Sequence, residues 1–92
     1  MNNSKRKEVV CILTNHTFAE SDRDRIVWKL LLLDRETLEV VNSDSGEYDV
    51  WQEYTYETDT LETYADGVFP TLEYVEAVFE DCKVVKCIEI NN

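Results

Sequence analysis

The chain is poor in several residue types on which common chemistries depend. Its 92 residues include one proline, one histidine, two glycines and three cysteines. With His16 as the single histidine, a nucleophilic triad has one candidate base, and no Gly-x-Ser-x-Gly elbow surrounds any serine. Two glycines, Gly46 and Gly67, are too few for a phosphate-cradling loop. The segment Asn42-Ser43-Asp44-Ser45-Gly46-Glu47 has the composition of a calcium loop but carries Glu47 where the turn glycine belongs. Cys11, Cys82 and Cys87 are odd in number, which argues against a disulfide framework. A zinc site from these three and His16 would lack the tight C-x2-C pair, so the thiols read as free and no metal or cofactor is expected.

Long apolar runs are also missing. Nothing approaches the ~20 residues of a membrane span. The apolar stretch after Lys5-Arg6-Lys7 is only Val9 to Leu13, too short for a signal-peptide core. The expectation is a soluble, cytoplasmic protein. Scarcest of all is positive charge: nine basic residues face twenty acidic ones, giving a net charge of −11. Such a balance disfavours direct binding to nucleic acid or anionic lipid, both polyanions. The 43% of apolar residues still suffices for a core, which excludes a disordered acidic tail. The length fits one domain, 1–92, with a frayed N-terminus over 1–7. Carboxylates are plentiful, but so small a chain offers little depth for the apolar pocket that raises a catalytic carboxyl's pKa, and no enzymatic activity is expected.

Periodicity predicts strands over 8–15 and 25–33, the second with Ile26, Trp28, Leu30 and Leu32 on one face. The polar stretch 16–24 reads as a connection. A short strand over 38–42, a turn at Ser43–Gly46 and an alternating strand over 47–57 complete a four-stranded antiparallel meander. Tyr54 and Tyr56 alternate with the charges and are expected in the core. Asp59-Thr60-Leu61-Glu62 has the form of a capping box and predicts a helix over 60–66. Pro70 suits the first turn of a second helix, 70–81, and 83–90 reads as a last strand. The expected class is α+β: a mostly antiparallel sheet of about five strands with one or two helices on one face, in the order β-β-β-β-α-α-β.

The distribution of charge stands out. Residues 1–35 carry seven basic and five acidic residues, whereas 36–92 carry two and fifteen. No Lys or Arg occurs from Glu36 to Cys82. Glu47, Asp49, Glu53 and Glu57 share one strand face, with steps of roughly 6.7 Å per two residues. In the helical reading, Glu62, Asp66, Glu73, Glu76 and Glu80 form a ridge, led by Asp59 at the cap. Like-charged rows are destabilising, and a surface built only for solubility mixes signs. Carboxylates in regular rows therefore point to a surface that imitates phosphates and captures a protein whose DNA-binding groove is basic. Trp51, and secondarily Tyr54, are candidate aromatic contacts for an arginine of that protein.

In size, acidity, α+β layout and the carboxylate rows of EYDVWQEYTYETDTLETYADG and PTLEYVEAVFEDC, the chain resembles the Arn anti-restriction proteins of T-even phages. The resemblance implies a homodimeric DNA mimic in the cytoplasm of an infected bacterium. The implied target is a modification-dependent restriction endonuclease of the McrBC type, or a histone-like nucleoid protein. The other readings open at this point are an acidic immunity or anti-CRISPR protein shielding a different nuclease, and a non-catalytic interaction module.

Overall fold

Alternation of apolar and polar residues sets the centre of the molecule. In the computed structural model, which describes residues 6–91, six elements follow one another: β1 (Lys7–Ala19), β2 (Arg23–Asp34), β3 (Val40–Thr55), β4 (Thr60–Gly67), α1 (Leu72–Val78) and β5 (Cys82–Asn91). They form one five-stranded sheet in the order β4-β3-β2-β1-β5. Strands β1 to β4 are an antiparallel meander, and β5 adds in parallel to β1. The chain leaves β4 at one edge and reaches β5 at the other, crossing one face of the sheet through α1. No helix among the described residues is long and apolar enough to cross a membrane.

The core lies between α1 and one half of the sheet. Val9, Cys11 and Leu13 on β1, Trp28, Leu30 and Leu32 on β2, and Cys82 at the start of β5 close around Val75 of α1. The β2 stripe matches the expected face. Trp28 is the largest of these side chains, and its indole Nε1–H donates to the Val68 carbonyl at 2.7 Å. That bond ties the connection after β4 back over the core. Thr71 caps α1 by accepting from the Tyr74 N–H, and Pro70 sits buried just ahead of the helix, where its missing N–H costs nothing.

Several expectations are corrected. Of the N-terminal segment expected to fray, residues 1–5 lie outside the described residues and Lys7 is already in β1. Strands β1 and β2 run on into the polar residues 16–19 and 23–24, where the two pair with each other and side-chain polarity is no obstacle. The third and fourth strands expected at 38–42 and 47–57 are one strand. Ser43–Gly46 is not a turn, because β2 continues opposite it from Leu31 to Trp28. Gly46 is needed for room: a Cβ there would lie 2.6 Å from Trp28 Cζ2. Residues 60–66 are β4, not a helix. Asp59 does not cap; it takes a left-handed conformation (φ 55°) closing the β3–β4 hairpin. Thr60, Thr63 and Tyr64 favour a strand, and β3 offers a partner immediately before them. The second expected helix shrinks from 70–81 to the seven residues of α1, so the described residues hold one helix, not two.

Candidate acidic face on the β3–β4 hairpin

The register of the sheet decides which carboxylates meet. Trp28 faces α1 and stands opposite Gly46, so even-numbered β3 residues share the helix side and odd-numbered ones face away. On the far side, Asp49 lies opposite Asp66, Trp51 opposite Tyr64, and Glu53 opposite Glu62. Two carboxylate pairs thus flank an aromatic pair, with Cβ atoms of opposed residues about 5 Å apart. The pairs at the two ends are about 13 Å apart along the strand.

The aromatic rings organise this face. Trp51 and Tyr64 stack with centroids 6.0 Å apart and an interplanar angle of 24°. Trp51 Nε1–H donates to Glu53 at 2.9 Å, and the Tyr64 hydroxyl donates to Glu62 at 2.7 Å. That bond, with the negative charge of Glu62 and then of Glu53, pushes the Tyr64 hydroxyl above its ordinary pKa. Each ring thereby fixes one carboxylate of the Glu53–Glu62 pair.

Two arginines of β2 border the patch. Arg25 pairs with Glu47 at 3.4 Å. Arg23 lies 3.8 Å from Asp49 and its guanidinium stands over the Trp51 ring, 5.2 Å from the centroid. The inner carboxylates Glu47 and Asp49 are therefore partly neutralised. Among the described residues, no ion pair involves Glu53, Glu57, Asp59, Glu62 or Asp66. Glu57 and Asp59 lie in the hairpin turn, extending the unpaired charge to the end of the molecule.

The helical carboxylates do not join this face. Glu62 and Asp66 belong to β4, so the expected ridge of five is broken. Glu73 and Glu76 are on α1, across the sheet, and Glu80 lies in the turn after it. Glu76 is half-buried and accepts the Val84 N–H at 3.3 Å, a structural duty. Tyr54 and Tyr56 are not core residues: they are 47% and 87% exposed and pack edge-to-face on each other beyond the reach of α1. Tyr64, Arg23 and Arg25 were missed as members of the site. The alternation Thr60, Glu62, Tyr64, Asp66 carried the signal for Tyr64 once 60–67 is read as a strand.

The far side of the sheet has a second feature. Leu31, Ile88 and Ile90 are exposed there, beside half-buried Ile12, with no element among the described residues covering them. Lys29 stands between this apolar stripe and the acidic face. Among the described residues, no group of three or more His, Cys, Asp or Glu is arranged to hold a metal ion. No protein family, curated protein or solved structure matches this chain.

Proposed function

We propose that the protein is a non-catalytic DNA mimic, acting in the cytoplasm, that blocks the DNA-binding surface of a basic protein. The observation that carries this reading is the pair of opposed carboxylates Glu53 and Glu62, held in place by Trp51 and Tyr64 and without an ion pair among the described residues. Placing like charges directly opposite on neighbouring strands works against folding. Fixing them with aromatic hydrogen bonds keeps both carboxylates presented outward at low conformational cost. An arginine of the partner would meet two carboxylates and a ring face together, a combination of charge-assisted hydrogen bonding and cation–π contact. The partner best suited by the resemblance is a restriction endonuclease of the McrBC type or a histone-like nucleoid protein. Long-range attraction between the acidic hairpin and a basic groove would speed the encounter.

A second copy of the chain is the proposed occupant of the apolar stripe of Leu31, Ile88 and Ile90, giving a homodimer. Sedimentation of the purified protein tests this, with a dimer expected and a monomer at all concentrations counting against it.

The function is tested by capturing basic DNA-binding proteins on the immobilised chain and eluting with duplex DNA. Release by DNA, and loss of capture with rising salt, are the expected results. Capture that ignores both favours instead an interaction module working through the apolar stripe. The variant carrying Glu53→Gln, Glu62→Gln and Asp66→Asn should lose capture while remaining folded.

A further inference from the structure

Strand β5 carries an irregularity that decides which of its residues face α1 and which join the far-side stripe. Its register with β1 shifts by one residue between Val9 and Val10: Val9 pairs with Val84, but Val10 pairs with Lys86. A one-residue shift exchanges the two faces of a strand. Without it, Lys86 would stand opposite Cys11 and Cys87 opposite Ile12. With it, Cys87 stands opposite Cys11, on the side facing α1. Glu76 of the helix accepts the N–H of Val84 at the start of the irregularity and so holds it in place.

Both side chains line one groove of about 400 Å³ between α1 and β5, with Leu13, Phe69, Leu72 and Glu89. Cys11 is buried and Cys87 is exposed, and both are free thiols. Opposed residues on paired strands have Cα atoms about 5 Å apart, within the range a disulfide spans. Burial, together with the neighbouring Cys87, pushes the Cys11 thiol up to about 12, and Cys87, being exposed, is the thiol that first meets a disulfide from solution. Cys82 is excluded. It is buried, its sulfur accepts from Asn42 Nδ2 at 3.3 Å, and it lies five residues before Cys87 on the same strand, about 16 Å away.

We propose that Cys11 and Cys87 form a redox-modification site, a dithiol that a small-molecule disulfide such as oxidised glutathione closes into an intramolecular disulfide joining β1 to β5. The Cys87 thiolate attacks one sulfur of the glutathione disulfide. That S–S bond breaks, one glutathione thiolate leaves, and Cys87 carries a mixed disulfide. Cys11 loses its proton to the departing thiolate, and its sulfur attacks Cys87 Sγ. The mixed S–S bond breaks and the second glutathione leaves as a thiolate that takes up the proton Cys87 gave to solvent. The protein loses two electrons and two protons, and one glutathione disulfide becomes two glutathione thiols. The product fastens β5, an edge strand paired on one side alone, to the strand at its flank.

The test is to treat the folded protein with oxidised glutathione, quench with acid, alkylate under denaturing conditions and weigh it. Closure is expected to remove two hydrogens and leave one of the three cysteines alkylated, mapped to Cys82. Cys82→Ser should close equally well, and Cys87→Ser should not close. A higher unfolding temperature for the closed form, reversed by dithiothreitol, is the expected accompaniment. A stable glutathionyl adduct on Cys87, an unchanged mass, or a bond that includes Cys82 or joins two chains would each overturn the proposal.

Discussion

Gly46 decides how Trp28 packs. The indole lies across the α-carbon of Gly46, and any side chain there meets the ring. Trp28 is 1% exposed and hydrogen-bonded to Val68, so it has no free direction in which to yield. Gly46→Ala should therefore cost about 1–3 kcal/mol, the usual range for overpacking. A lower denaturant midpoint with an unchanged slope is the readout. Asp34 makes a different single-residue case. Its carboxylate accepts the N–H groups of Glu36 and Thr37 at 2.8 and 3.1 Å and pairs with Lys7 at 3.3 Å. Those bonds hold its pKa below the ordinary aspartate value. A depressed folded pKa adds stability that is complete above the unfolded value and lost as pH falls through the folded one. Asp34→Asn should thus destabilise at neutral pH, and the gap from wild type should narrow below about pH 4. Thermal melts across that range show whether the two curves converge.

At the scale of elements, the buried strands were legible in the sequence and the exposed ones were not. The β2 stripe of Trp28, Leu30 and Leu32 alternates over a core, and its face was evident from spacing alone. Strand β4 has no buried residue, so no apolar period marks it. There the polar pattern Asp59-x-x-Glu62 imitated a helix start, and only pairing with β3 settles the conformation. Ser43–Gly46 is a related case: it has turn chemistry without forming a turn, because pairing with Trp28 to Leu31 of β2 keeps it extended. Of the expected strand row Glu47, Asp49, Glu53 and Glu57, the first three share a face of β3 because period-two spacing holds wherever a strand exists, and Glu57 falls in the turn beyond it. The helical row does not hold, since it assumes a helix through Glu62 and Asp66. The short α1 depends on its ends. Thr71→Ala should cost about 1 kcal/mol by removing the acceptor for the Tyr74 N–H, visible as a lower midpoint in equilibrium unfolding. On the hairpin, Glu53→Gln with Glu62→Gln should stabilise by about 0.2–1 kcal/mol through relief of cross-strand repulsion. A melting temperature below wild type would contradict that account of the pair.

The whole molecule is a slab of 56 × 32 × 16 Å with its core toward one end. Near that end, around the start of β1 and β5, Arg6, Lys7, Arg35 and Lys83 stand among Glu8, Asp34 and Glu36, with Lys7 paired to Asp34 and Arg35 to Glu8. The unpaired acids Glu53, Glu57, Asp59 and Glu62 gather at the other. Charge is thus balanced at the core end and one-signed at the hairpin tip, and the protein should approach a basic partner hairpin first. Raising the ionic strength should slow association more than it speeds dissociation, which stopped-flow kinetics over a salt series resolves.

The separation of core from acidic face also divides the protein in its opening motions. Backbone amides of β1 and β2 beside α1 are covered by buried side chains and should exchange with deuterium only when the whole chain unfolds. Amides of β4 and the outer half of β3 sit on a ribbon with nothing buried, and should exchange through local opening many times faster. A target that grips the hairpin would abolish that difference, so the deuterium uptake of residues 53–66 is itself a gauge of occupancy.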